Sequence, residues 1–120
     1  MVVDDDQDMQ KILNHTLDME GFDTVIVADG ESALSIMDKV APDLIILDTK
    51  TPDNDSFQTL DHIREHSNVP IIMLTTEYEV ELLRKAISLG ADDLIRKPLG
   101  MRSFVARIRA KLRRSRQEIP

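Results

Sequence analysis

Short apolar runs alternate with helical spacings along the whole chain. Val2-Val3, Thr24-Val25-Ile26-Val27, Leu44-Ile45-Ile46-Leu47, Ile71-Ile72-Met73-Leu74 and Asp93-Leu94-Ile95 read as strands. Three of these runs are apolar almost throughout, as a strand must be when both of its faces are covered. Between them, apolar residues recur at three- and four-residue spacing. Met9, Ile12, Leu13 and Leu17 mark a first helix, and Ala33, Leu34, Met37 and Val40 a second. Phe57, Leu60 and Ile63 mark a third, Leu83, Ala86 and Ile87 a fourth, and Phe104, Val105, Ile108 and Leu112 a fifth. Gly21 and Gly90 stand where the first and fourth helices should end, and Pro42 blocks continuation of the second. The first strand is short: either it starts late or a few residues are missing ahead of it.

The pattern predicts a strand-helix unit repeated five times. Parallel strands joined by helical crossovers give an α/β sheet with helices on both faces. The five-strand flavodoxin-like order 2-1-3-4-5 fits 120 residues. Its topological switch point lies between strands 1 and 3, and sites form there at the carboxyl ends of the strands.

Composition narrows the chemistry. One compact domain is the expectation at this length. Aromatics are only 3%, so the core must be aliphatic. There is no Cys, which removes disulfides and thiolate metal sites. No apolar run is long enough for a membrane helix, and the acidic opening Asp4-Asp5-Asp6 is not that of a signal peptide, so a cytoplasmic protein is expected. The net charge of −7 is unevenly spread. Residues 102–120 hold seven basic residues and one acid, Glu118, for a net of +6, which leaves −13 on the rest. An acidic body repels phosphate backbone, so this segment alone is a poor DNA binder, and a solvated helix face running into a linker is the plainer reading.

Reading the residue after each strand gathers the candidate site. Strand 1 ends in Asp4-Asp5-Asp6, strand 3 in Asp48, strand 4 in Thr75-Thr76 and strand 5 in Lys97-Pro98. Carboxylates crowded at a switch point repel one another and call for a cation. All-oxygen ligation suits Mg²⁺. Asp5 and Asp48 would ligate it directly, Asp4 directly or through water, and the Lys50 backbone carbonyl could add an oxygen. An Asp carboxylate is a competent nucleophile toward phosphorus, and phosphoryl transfer is mostly positioning and charge neutralisation. Asp48 would accept the group, Lys97 would pair with one oxygen and Thr75 would donate to another. Each feature alone has a bland reading as a loop, cap or turn residue. The four together, on strands 1, 3, 4 and 5, point to one site.

These segments resemble response regulator receiver domains over nearly the whole chain. The likeness rests on Val2-Val3-Asp4-Asp5-Asp6, on Leu44 to Asp48 followed by Pro52 and Asp55, on Pro70 to Thr75, and on Gly90-Ala91-Asp92-Asp93 leading to Lys97-Pro98. The resemblance implies phosphotransfer from a sensor histidine kinase to Asp48, Mg²⁺ at Asp4 and Asp5, and slow self-catalysed hydrolysis in place of ordinary enzyme turnover. It also implies a shift of the face made by helix 4, strand 5 and helix 5. The ending Ala106 to Arg114 is similar to the OmpR-like subfamily, whose members carry a winged-helix DNA-binding domain. Residues 1–114 would then be the receiver and Ser115 to Pro120 the start of a linker to a missing effector. That subfamily implies a homodimer through the helix 4, strand 5, helix 5 face, here with Arg84, Lys85, Asp92, Asp93, Arg107 and Arg114.

The chain departs from the family at several positions. Leu94 stands where the family has a switching Tyr or Phe, and Leu99 where Phe follows Lys-Pro. Ser56 replaces a Gly, which would be costly if that backbone needed positive φ. Ser103 replaces an acid of the dimer face. Lys50 and Glu77 should rim the pocket with Thr76. An ion pair between Lys50 and Glu77 could roof the acyl phosphate, or each could point separately into solvent. His15, His62 and His66 fall on helices away from the carboxyl edge, at surface or boundary positions. The six Met are read as core filling.

Three other functions fit the sequence less well. A receiver-like module working by protein contacts alone is kept open by Leu94 and Ser56 but opposed by the complete set Asp4, Asp5, Asp48, Thr75 and Lys97. A haloacid-dehalogenase-like hydrolase needs an acid two residues after its nucleophile, where this chain has Lys50. Dinucleotide binding lacks its Gly-x-Gly-x-x-Gly.

Overall fold

The computed structural model describes residues 1–49, 56–77, 79–97 and 100–117, without the side chains of 116 and 117. Ten elements alternate: β1 (Val2–Val3), α1 (Gln7–Met19), β2 (Ile26–Val27), α2 (Gly30–Val40), β3 (Ile45–Asp48), α3 (Ser56–His66), β4 (Ile71–Thr75), α4 (Val80–Ser88), β5 (Asp93–Arg96) and α5 (Met101–Gln117). The sheet is parallel, in the order β2-β1-β3-β4-β5. The flavodoxin-like expectation therefore holds.

Strand alternation feeds two separate cores. Val3, Ile45, Leu47, Ile71, Met73 and Leu94 pack on one face against Ala33 of α2, Phe57, Leu60 and Ile63 of α3 and Ala86 of α4. Val2, Ile46, Ile72, Leu74 and Ile95 pack on the other against Leu13 and Leu17 of α1 and Phe104 and Ile108 of α5. Each central strand is buried along its length, which explains the unbroken apolar runs.

Helix ends obey local chemistry. Asp6 caps α1 by accepting from the Asp8 and Met9 amides, and Asp29 caps α2 by accepting from Ser32 N–H at 2.7 Å. Gly21 and Gly90 close α1 and α4 with φ of +87° and +106°. Ala41, just before Pro42, takes the left-handed conformation at φ 48° to end α2, a strained choice for a residue with a Cβ.

Some expectations need correcting. Ile12 and Ile87 were counted on buried stripes but are 47% and 48% exposed. Each stands beside residues that already fill its helix's inner face, Leu13 and Leu17 in α1 and Ala86 in α4. Thr24 and Val25 lie outside β2, an edge strand with fewer neighbours to order it, though Val25 O still accepts from Val2 N–H. Helix α5 spans Met101–Gln117. Met19 is 73% exposed and so is not core filling, whereas Met73 is fully buried.

Candidate functional site

The carboxyl edge gathers the expected residues. The acidic run after β1 divides into three roles. Asp4 turns inward and is 1% exposed, with its Oδ1 accepting from Asp6 N–H at 2.9 Å. Asp5 faces solvent, and Asp6 is the cap of α1. From α1, the Gln10 side-chain amide donates to the Asp4 carbonyl and fixes the strand end. Asp48, the last residue of β3, is buried beside them. One carboxylate oxygen from each of Asp4, Asp5 and Asp48 can be chosen so that all lie within 4.8 Å of one another.

Lys97 closes the cluster. Its Nζ lies 3.1 Å from Asp48 Oδ2, and its side chain is only 12% exposed. The Lys97 amide donates to the Thr75 carbonyl at 2.8 Å, which ties the ends of β4 and β5 together and holds the lysine in place. Thr75 is buried, and its hydroxyl donates to the Glu77 carbonyl and accepts from the Glu77 amide, both at 3.1 Å. This small turn is a local alternative to pointing into the site. Thr76 and Glu77 are exposed.

Three carboxylates against one ammonium leave the cluster negative. Asp4 responds most. Burial, and then the adjacent Asp48 carboxylate, raise its pKa to about 6, while the Asp6 amide and Lys97 oppose the shift. Asp4 Oδ2 is buried without a hydrogen-bond partner. A buried carboxylate oxygen with no donor, inside an all-oxygen cluster, fits a hard divalent cation better than it fits a purely structural role.

The other sequence-derived candidates fall as follows. Leu94 is buried at 2% on the α2-α3-α4 side, in the cluster that holds Ala86 and Ala91. Ser56 opens α3 without positive φ and donates from Oγ to the Thr49 carbonyl at 3.3 Å, so the expected backbone cost does not arise. Lys50, Pro52, Asp55, Pro98 and Leu99 lie outside the described residues, so the Lys50–Glu77 roof and the Lys50 carbonyl ligand cannot be placed. Among the dimer-face candidates, Arg107 pairs with Asp93 at 3.6 Å and Arg84 with Glu81 at 3.7 Å. Lys85 Nζ sits 4.5 Å above the Phe57 ring, and Arg114 is exposed. Asp92 is partly committed inside the chain, where its Oδ2 accepts from Arg64 and from Ile71 N–H.

Sequence reasoning missed Arg64. Its guanidinium donates to the carbonyls of Gly90, Ser67 and Val69 and pairs with Asp92 at 3.0 Å. The available signal was a charged residue falling at the end of the Phe57, Leu60, Ile63 stripe. Gln10 and the capping Asp6 were missed as well.

Comparison with known proteins agrees with this geometry. Residues 1–109 match the response regulator receiver domain family. The chain is 44% identical over 116 residues to the transcriptional regulatory protein CpxR of Klebsiella pneumoniae, covering 96% of this chain and 49% of that protein. It is 38% identical over 118 residues to the DNA-binding response regulator MtrA of Mycolicibacterium smegmatis, covering 98% and 52%. The chain thus spans about half the length of the curated relatives it matches. Among solved structures, a CheY-like receiver domain protein from Methanospirillum hungatei superposes with a TM-score of 0.91 at 26% identity, over 98% of this chain and 94% of that one. The BeF3-activated receiver domain of Klebsiella pneumoniae RstA gives 0.89 at 27% identity, over 93% and 96%.

Proposed function

Because the chain belongs to the response regulator receiver domain family, we propose that Asp48 accepts a phosphoryl group from a sensor histidine kinase. In the transfer, the phosphorus–nitrogen bond of a phosphohistidine breaks as a phosphorus–oxygen bond forms at Asp48. The observation that carries this reading is the buried Asp48 carboxylate held 3.1 Å from Lys97 beside the Asp4 and Asp5 carboxylates. The domain is a signalling switch of transcriptional regulators, not an enzyme with ordinary turnover. Its remaining chemistry is self-catalysed phosphotransfer and slow hydrolysis of the acyl phosphate.

Asp4, Asp5 and Asp48 would hold Mg²⁺, which would supply charge neutralisation during phosphoryl transfer. The chain's own groups do the rest. Asp48 supplies the nucleophilic oxygen. Lys97 gives a positive point charge to a phosphoryl oxygen once that oxygen competes with the Asp48 carboxylate for it. Thr75 donates its hydroxyl hydrogen to another oxygen after leaving the Glu77 carbonyl. With Thr75 drawn inward, Leu94 is the side chain that repacks beneath α4. Thr76 and Glu77 would rim the entrance and limit the approach of water.

The switched face is that of α4, β5 and α5. Pairing of two copies across it would use Arg84, Lys85, Asp93, Arg107, Arg114 and the remaining oxygen of Asp92. DNA would be reached only through a further effector domain, and the protein would act in the cytoplasm. Among the described residues no helix is long and apolar enough to cross a membrane.

Incubation with Mg²⁺ and acetyl phosphate, read by intact mass, tests the proposal. One phosphoryl adduct is expected on the wild type and none on Asp48→Asn. A wild type that stays unmodified under these conditions would favour a module working by protein contacts alone.

A further inference from the structure

At the amino edge, away from the carboxylate cluster, α2 and α3 leave a groove of about 720 Å³. Two of the three histidines of the chain line it, His62 and His66, together with Asp38 and Glu65. We propose that His62 and His66 chelate a borderline divalent transition metal such as Zn²⁺, at a site separate from the oxygen centre around Asp48.

The spacing carries the proposal. Residues four apart on a helix stand one above the other on the same face, roughly 5–6 Å apart at Cβ. Two imidazoles there can each bring a nitrogen to about 2.0–2.1 Å from one zinc ion. The run His62-Ile63-Arg64-Glu65-His66 has the H-x-x-E-H spacing in which both histidines of a helical turn ligate zinc. Only ligation is inferred here. Glu65 and, across the groove on α2, Asp38 add negative charge near the pair, and water completes the coordination.

The helix cannot turn these side chains away. Ile63 is fully buried against the sheet, and Arg64 is tied to the carbonyls of Gly90 and Val69. Those two residues fix the rotation of the last turn of α3. His62, Glu65 and His66 are thereby held outward and exposed, so binding needs no unfolding. Ligand hardness keeps the two centres apart: imidazole suits zinc, nickel or copper, while Mg²⁺ prefers carboxylate oxygen.

Calorimetric titration of Zn²⁺ into the full chain with excess Mg²⁺ tests the site. Wild type should bind one ion with micromolar affinity. His62→Ala and His66→Ala should each weaken it by roughly tenfold or more, as loss of one of two nitrogen ligands implies. His15→Ala, an exposed histidine on α1, serves as the control and should bind as wild type does. All three side chains are exposed, so the metal-free variants should melt together by circular dichroism. Zinc should raise the melting temperature of wild type and leave that of the double histidine variant unmoved. Wild-type affinity in the double variant, or an equal loss in His15→Ala, would overturn the proposal. Asp48→Asn should retain the histidine-dependent binding, and its loss there would refute the separateness of the two sites.

Discussion

The two ends of the sheet each hold a charged centre, and they are built on opposite plans. At the amino edge a single guanidinium, Arg64, meets one carboxylate and three carbonyls. Charge is balanced and four of the five N–H donors have a named acceptor. At the carboxyl edge one ammonium, Lys97, faces a cluster of three carboxylates, one of which has an oxygen without a partner. The first arrangement joins α3 to the loops entering β4 and β5. The second carries an excess of negative charge, which suits a cation. Ion pairing alone therefore does not separate structural from functional residues, but the balance of charge does.

Removing one partner from each centre gives the sharpest contrast, because the signs differ. Arg64→Met should destabilise the domain by about 2–3 kcal/mol, since it leaves three carbonyls in a partly buried site without their donor, while the exposed Asp92 keeps the Ile71 amide. The urea midpoint would fall with little change in slope. Asp48→Asn should do the reverse in metal-free buffer, stabilising the fold by roughly 1–2 kcal/mol through relief of like-charge repulsion. A fall in stability for Asp48→Asn without metal would break the comparison.

The pH dependence sharpens it further. Asp4 titrates at about 6 in the fold, above its ordinary value of 3.8, so the folded chain binds this proton more tightly than the unfolded chain. Its contribution is complete below 3.8 and is lost as pH rises through about 6. Thermal melts in a chelator should show about 1–2 kcal/mol of stability lost over that window, and Mg²⁺ should shrink the loss. The smallest effect belongs to the Arg109–Glu20 pair, in which both side chains are nearly half exposed. Arg109→Ala should cost no more than about 0.5 kcal/mol by the same melts, apart from whatever its contact with the Phe22 ring adds.

The carboxyl edge was legible in the sequence and the amino edge was not, for a physical reason. Parallel strands deliver their last residues to one rim, so Asp4, Asp48, Thr75 and Lys97 could be collected by reading strand ends. Arg64 acts through carbonyls of Ser67, Val69 and Gly90, and a backbone acceptor leaves no trace in residue type. Stripe membership misled at Ile12 and Ile87 because spacing marks a face but not how far the neighbouring element extends over it. Ser56 looked costly only on the assumption that the position needed positive φ, and α3 begins there instead. The division of the acidic run into an inward Asp4, an outward Asp5 and a capping Asp6 depended on where α1 begins, which residue type alone leaves open.

Thr75 has a single hydroxyl hydrogen, and in the resting chain it points at the Glu77 carbonyl. A second acceptor at the rim can have that hydrogen only if the carbonyl gives it up. The stretch from 75 to 77 is thus closed on itself by one hydroxyl, which gives a hydrogen bond to the Glu77 carbonyl and takes one from the Glu77 amide, so whatever draws the hydroxyl away also loosens the backbone at 77.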